Sequence, residues 1–400
     1  MSIIKLTDKI TSVGVINPNL RIFDVVIPAD YGTSYNAYIV HGSDKTALIE
    51  CSHDGFTEQF LRNIKLAIGE SKLDYIILNH CEPDHSGALA CVMEHYPEAQ
   101  VIASQAGALY LKNITNTEGF APKAVKQGDS LDLGGLTLEF IPAPFLHWPD
   151  SMFTWLKEEK TLFSCDFLGA HYCEPNMLDT EITYPECYQA AFRVYYDAIF
   201  SPFKKHVLAG LDKIKDLDIE LACNSHGPAL TKGCLLPSAM ELYRSWSTCE
   251  ARVNKLIPVF YVSAYGNTEK LAHAIAEGIK AAQPTAEVEC YDIIRHDMCK
   301  LSELINACDA FAVGSPTFNR DAVAPVWNLL TTIDAINSAK KPALVFGSYG
   351  WSGEAAANLA ARLNGLKVAV YPELVKVCFA PSQQDLDCAV EHGKKFAQCL

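Results

Sequence analysis

The 400-residue chain contains no C-x-x-C pair, although its 15 cysteines are scattered from Cys51 to Cys399. Zinc ribbons and rubredoxin-type modules need such paired spacing and are thereby excluded. An odd, unpaired count also opposes a disulfide framework and favours small buried thiols in a reducing compartment. Long apolar runs are missing too. None approaches the roughly 18 uncharged residues that span a bilayer, so no membrane segment is expected. The opening MSIIKLTDKITSVG has no apolar core and no small-residue cleavage site. A secretory signal is therefore not expected, and a cytoplasmic location is. Positive charge is in deficit: 33 Lys and Arg face 47 Asp and Glu, for a net charge of -14. That balance opposes binding to nucleic acid or to an anionic membrane.

What remains reads as two folded units. The length exceeds the usual span of one hydrophobic core, and 49% hydrophobic residues is ordinary for globular chains. Short β-rich runs at 38–40, 46–50, 75–79, 101–103 and 136–141 are bounded by Gly, Asp or Ser. Helical spacing of apolar residues falls at 56–68 and 88–95, and strands resume at 162–164 and 221–225. This mixed succession predicts an αββα sandwich. From about residue 256 the grammar changes. Strand patterns at 257–262, 286–292, 310–314, 342–346 and 368–370 alternate with helical patterns that include 269–281 and 322–335. Such alternation predicts a doubly wound, parallel, five-stranded sheet. With a helix expected over 238–252, the domains are expected at 1–253 and 254–400.

The segment ILNHCEPDHSGAL places His80, Glu82, Asp84 and His85 just after a strand and before a helical pattern. Four ligand-capable groups in six residues exceed what one tetrahedral site needs once others join. His147, Asp166 and His226 also stand just beyond apolar strands. Each alone is a weak signal. Together, four histidines and three carboxylates suffice for two metals, with three terminal ligands each and one bridging carboxylate.

A second constellation lies in VFYVSAYGNTEKLAHAIAEGI. Its loop, Ser263, Ala264, Tyr265, Gly266, Asn267 and Thr268, puts hydroxyls and an amide at a helix N-terminus, where an anion is favoured. No G-K-[ST] and no G-x-G-x-x-G follows, so one terminal phosphate, as in FMN, fits better than ATP or NAD. Two later loops are expected to complete the site. One contains Pro316, Thr317, Phe318 and Asn319; the other runs Ser348, Tyr349, Gly350, Trp351, Ser352, Gly353. Ligands bind beyond the carboxyl ends of strands in such sheets. Tyr349 and Trp351 are either flavin-facing aromatics or loop anchors.

The hexapeptide HCEPDH resembles the metallo-β-lactamase motif H-x-H-x-D-H with Glu82 in place of the second histidine. In that form, and with the three flavin loops following in order, the whole chain resembles the flavodiiron protein family. The resemblance implies a metallo-β-lactamase-like diiron domain followed by a flavodoxin-like FMN domain. It implies His80, Glu82 and His147 on one iron, Asp84, His85 and His226 on the other, and Asp166 as bridge. His171 resembles a pocket residue of the family, with a surface-loop histidine as the alternative. Cys81 departs from the pattern and could tune the site or oxidise. The implied function is reduction of O2 to water by an oxidoreductase, with electrons from a rubredoxin-like protein or a reduced deazaflavin. Reduction of NO to N2O is the alternative, and a dinuclear zinc hydrolase fused to a flavodoxin domain a remoter one. A head-to-tail homodimer, or a dimer of such dimers, is also implied.

Overall fold

Strands that are apolar at every position must be covered on both faces. The run Tyr75–Leu78, YIIL, is one: all four residues are buried. In the computed structural model, which describes residues 3–117, 119–248 and 252–400, this strand lies inside a seven-stranded sheet. The sheet order is Ile4–Lys5, Ile10–Ser12, Tyr38–His41, Thr46–Ile49, Tyr75–Leu78, Gln100–Ser104, Lys123–Val125. A six-stranded sheet runs Ser130–Asp132, Thr137–Pro142, Met152–Leu156, Thr161–Cys165, Leu221–Asn224, Leu230–Thr231.

Alternation assigns each face its partner. Val40, Ile49 and Ile77 point to one side of the first sheet and pack with Leu138, Met152 and Phe163 of the second. Ile39, Leu48, Ile76 and Leu78 point to the other side and meet Phe60, Ile64 and Leu111 of the covering helices. The second sheet's outer face, with Phe153, Trp155 and Leu162, packs against helices Pro185–Tyr195, Lys204–Ile214 and Leu236–Ser247. This is the αββα sandwich. Hydrogen bonds join the two sheets at one end. Tyr38 Oη donates to Asn224 O at 2.6 Å, and Met152 N–H donates to Asn79 O at 2.9 Å.

The chain divides into two units, residues 1–249 and 250–400. The helix expected over 238–252 begins at Leu236 and stops at Ser247, because Thr248 turns extended with ψ 114°. The end of the expected helix, 249–251, lies outside the described residues.

In the second unit the strand order is Cys290–Asp292, Val259–Tyr261, Phe311–Gly314, Pro342–Tyr349, all parallel. The fifth position is shared by Ala369–Val370 and Val375–Cys378, which pair in succession along one edge of Pro342–Tyr349. The second of these was not expected from the sequence. Tyr371, Pro372 and Glu373 break the strand pattern there. Helices cover both faces: Phe260, Phe311 and Val345 pack on one side, Val259, Ala312 and Leu344 on the other. The sheet is thus the doubly wound arrangement of a flavodoxin-like domain.

Candidate metal centre and flavin site

The chain leaves the strand Tyr75–Leu78 and enters a single helical turn, Pro83–Ser86. Proline suits that first helical position, because its missing N–H would have no partner there. The turn is pinned on both sides. Cys51 N–H donates to His85 O, and Ser86 Oγ donates to Cys81 O, both at 2.9 Å. Gly87 permits the close approach, since a Cβ there would lie 2.5 Å from Pro83 O. Asp166 follows the strand Thr161–Cys165, and His226 follows Leu221–Asn224. His147 comes from the loop between Thr137–Pro142 and Met152–Leu156.

These side chains converge. His80 Nε2 lies 3.1 Å from Glu82 Oε2, and His147 Nε2 lies 3.3 Å from the same oxygen. His85 Nε2 is 3.3 Å from Asp84 Oδ1, and His226 Nε2 is 3.1 Å from Asp84 Oδ2. Asp166 stands between the two groups. Its Oδ1 is 3.1 Å from His85 Nε2 and 3.3 Å from His226 Nε2, while its Oδ2 is 3.8 Å from both His80 Nε2 and His147 Nδ1. Four triads of potential donors result: His80 with Glu82 and His147, Asp84 with His85 and His226, His80 with His85 and Asp166, and, behind these, Glu50 with His85 and Cys165.

The electrostatics ask for cations. Burial opposes charge on an imidazole, yet hydrogen bonds and Coulombic attraction from carboxylates lift His80, His85 and His226 to about 10. Burial likewise opposes charge on the carboxylates, but the histidines hold Asp166 and Glu82 well below the ordinary range. In Asp84 both carboxylate oxygens are buried without a hydrogen-bond partner, although ring nitrogens stand close by. Without metal, protons on the histidines balance these buried carboxylates, and metal cations can take the place of those protons. The donors therefore fit a pair of metal ions. Their mixture of imidazole and carboxylate suits iron.

Groups outside this set were missed by sequence reasoning. Asp150 accepts from His80 Nδ1 at 3.1 Å through Oδ2, and from Cys81 N–H at 2.8 Å. His226 Nδ1 donates to Ser34 O at 2.6 Å. Glu50 is fully buried with Oε2 4.0 Å from His85 Nδ1, and burial raises its carboxyl to about 7. Tyr195 Oη donates to Asp166 Oδ1 at 3.1 Å. Asp150 carried a faint signal, as an acid three residues after His147 and just ahead of the buried strand Met152–Leu156. The other partners come from distant segments.

His171 is buried, so the surface-loop alternative fails. Its Nδ1 lies 3.0 Å from Thr33 Oγ1, and its ring packs 4.2 Å from Phe23 and 5.3 Å from His226. Burial and the charge of His226 push it down to about 3, leaving a neutral imidazole. The Cys81 thiol is buried and pushed well up by desolvation, which opposes its oxidation. A cavity of about 200 Å³ opens over the cluster, with apolar walls from Phe23, Ile27, Trp148, Ile199 and Phe203. At this cavity Asp24 is the acid not foreseen. Burial, then repulsion from Glu82, raises it to about 6.

The second unit has a cavity of about 640 Å³ at the carboxyl ends of its strands. Ala264, Tyr265, Asn267, Pro316, Thr317, Phe318, Asn319, Ser348, Tyr349, Gly350, Trp351 and Ser352 line it, as expected from sequence. Ser263, Gly266, Thr268 and Gly353 do not line it but build its walls. Ser263 Oγ accepts from Glu269 N–H, and Thr268 Oγ1 bonds Ser348 Oγ at 2.8 Å. Gly266 precedes the helix Asn267–Ala282 with φ 78°, a conformation that favours glycine. A Cβ on Gly353 would meet the Tyr349 ring at 2.9 Å. Arg320 and Phe379 line the cavity without having been expected. Phe379 follows the strand that the sequence concealed. Trp351 is 95% exposed and Tyr265 89%, so Trp351 is not a buried loop anchor.

The chain's sequence matches the ODP family beta lactamase over residues 33–227 and flavodoxin over 259–393. It is 52% identical to flavo-diiron protein FprA2 of Clostridium acetobutylicum, with both chains covered completely. The chain belongs to the flavodiiron protein family. It is also 36% identical to a coenzyme F420H(2) oxidase of Methanothermobacter marburgensis, over 92% of this chain and 91% of that one. Identity to an anaerobic nitric oxide reductase flavorubredoxin of Vibrio vulnificus is 32%, over 92% of this chain and 74% of the relative. Among solved structures, the rubredoxin oxygen:oxidoreductase of Desulfovibrio gigas superposes with a TM-score of 0.70 at 28% identity, covering 100% of this chain and 98% of that one. As a flavodiiron protein the chain is an oxidoreductase whose cofactors are FMN and a diiron centre. This sets aside the zinc-hydrolase alternative. No described helix is long and apolar enough to cross a membrane.

Proposed function

We propose that this flavodiiron protein reduces O2 to water, with electrons entering from a separate donor through FMN. His80, Glu82 and His147 would hold one iron and Asp84, His85 and His226 the other, with Asp166 placed to be shared between them. The observation that carries this reading is the convergence of both triads on Asp166 beneath a small, apolar-walled cavity. Such a cavity suits a diatomic gas and excludes large polar substrates. When bound, the diiron pair and FMN supply two electrons each, the four needed to turn O2 and four protons into two waters.

The protein's residues supply order and polarity around that chemistry. Tyr195 holds one oxygen of Asp166 in place, and the neutral His171 ring packs behind His226. Asp24 adds a carboxyl, outside the proposed ligand set, to the wall of this cavity. In the flavin unit, the helix N-terminus at Asn267, braced by Ser263 and Thr268, would receive the phosphate, and Thr317, Tyr349 and Trp351 of the cavity lining would meet the ring.

The competing reading is reduction of two NO to N2O, which takes two electrons; the Vibrio vulnificus relative favours it. Two donor classes are supported by relatives, a rubredoxin-like protein and a reduced deazaflavin. A head-to-tail homodimer is supported by exposed apolar groups at both sites. Ile22, Val25 and Val26 are exposed in the segment whose Phe23, Asp24 and Ile27 line the metal cavity, and Tyr265, Phe318 and Trp351 are exposed in the lining of the flavin cavity. The absence of disulfides among the described residues supports the cytoplasm. Steady-state gas consumption with each donor tests the function. O2 turnover exceeding NO turnover with at least one donor is expected; NO turnover dominating with both would replace the reading by its competitor.

A further inference from the structure

The seven proposed ligands divide evenly. Each iron position has one terminal carboxylate, two histidines and a share of Asp166. The groups behind the histidines do not divide evenly. His80 Nδ1 faces both oxygens of Asp150, at 3.1 and 3.3 Å. His226 Nδ1 donates to a neutral carbonyl, Ser34 O. His85 Nδ1 lies 4.0 Å from Glu50, beyond hydrogen-bond reach, and both ring nitrogens of His147 face the cluster, Nε2 toward Glu82 and Nδ1 toward Asp166, so no outer carboxylate backs it. Only His80 therefore has a carboxylate in full hydrogen bond to its outer nitrogen.

Asp150 is also fixed in place. Its side chain is completely buried, its Oδ2 accepts Cys81 N–H at 2.8 Å, and its carbonyl accepts Ser104 Oγ at 2.7 Å. A carboxylate behind an imidazole sets the tautomer and makes the opposite nitrogen a stronger donor. A stronger donor favours the higher oxidation state of the metal it serves.

On the ligand assignment proposed above, we infer that Asp150 is a positioning residue that makes the two iron positions unequal. Its hydrogen bond commits His80 Nε2 to metal binding and stabilises the ferric state on the His80 side. Glu50, buried as deeply behind His85 but too far to bond it, has no such effect.

The test is a stepwise reductive titration of the iron- and FMN-loaded protein, followed by Mössbauer spectroscopy. Wild type reduces its irons in two separate one-electron steps. Asp150→Asn raises the lower iron potential by at least a tenfold change in equilibrium constant, ~59 mV for one electron. It also weakens retention of one iron against a chelator by ~10–100-fold. Asp150→Glu, which keeps the charge, restores most of the separation, and Glu50→Gln leaves it as in wild type. A single two-electron step in wild type overturns the inference, a result that stands even if Asp150→Asn does not fold. So does an Asp150→Asn protein holding two irons at unshifted potentials, or an equal shift from Glu50→Gln. A wild-type protein that binds no iron pair defeats the ligand assignment itself, and the inference with it.

Discussion

Asp166 touches both halves of the metal cluster, so its removal has effects that no other ligand can match. Asp166→Asn keeps the shape and removes the charge that faces His85 and His226. Iron content falls below two per chain and gas turnover drops by ~100-fold or more, read by iron assay and oxygen electrode. Protons provide a second test at this scale. Without metal, His80, His85 and His226 sit near 10, so each is protonated at pH 7. Iron must displace those protons, and loading the apoprotein at pH 7 releases about three protons per chain. Iron affinity consequently rises with pH until these groups have titrated. A pH-stat record showing no proton release would contradict the raised values. In the flavin loop, Thr268→Val removes the hydroxyl paired with Ser348. FMN binding weakens by about 1 kcal/mol, roughly fivefold in Kd by fluorescence titration.

The side chains that converge as proposed metal ligands stood out in the sequence because four of them lie within six residues and the others follow apolar strands. Their partners did not. Asp150 meets His80 across 70 positions, and Ser34 meets His226 across 192. Apart from the acid at Asp150 close after His147, nothing local in the chain marks such pairs, which exist only once both sheets are stacked.

At the level of elements, the most exacting contact is between helices Asn267–Ala282 and Gln383–Gln398. A Cβ on Gly278 would lie 2.0 Å from Val390 O, and one on Gly393 would lie 2.3 Å from Ile275 O. Each glycine lets one helix backbone rest directly on the other. Gly278→Ala forces them apart and destabilises the flavin unit by ~1–3 kcal/mol. A lower urea midpoint with an unchanged slope is the expected result. The helical pattern at 269–281 anticipated the first of these helices, while the second, Gln383–Gln398, was not named from the sequence. One strand was likewise missed. Val375–Cys378 alternates buried and exposed residues but is too short to stand out after Pro372.

For the whole molecule, the order of the two units links one redox cofactor to another. The fold of each unit was readable from the change of periodicity near residue 256, because parallel α/β units and stacked sheets impose different rhythms. Substrate choice was not readable, and the cavity over the cluster is itself assembled from residues far apart in the chain, Phe23, Trp148, Ile199 and Phe203 among them. The most direct measurement is a single turnover. The protein, loaded with iron and FMN, is reduced anaerobically and titrated with O2. The account predicts uptake of four electrons per chain and their complete return to one O2, with no hydrogen peroxide released. Failure of O2 to reoxidise the irons, or release of peroxide in proportion to the O2 consumed, would contradict it.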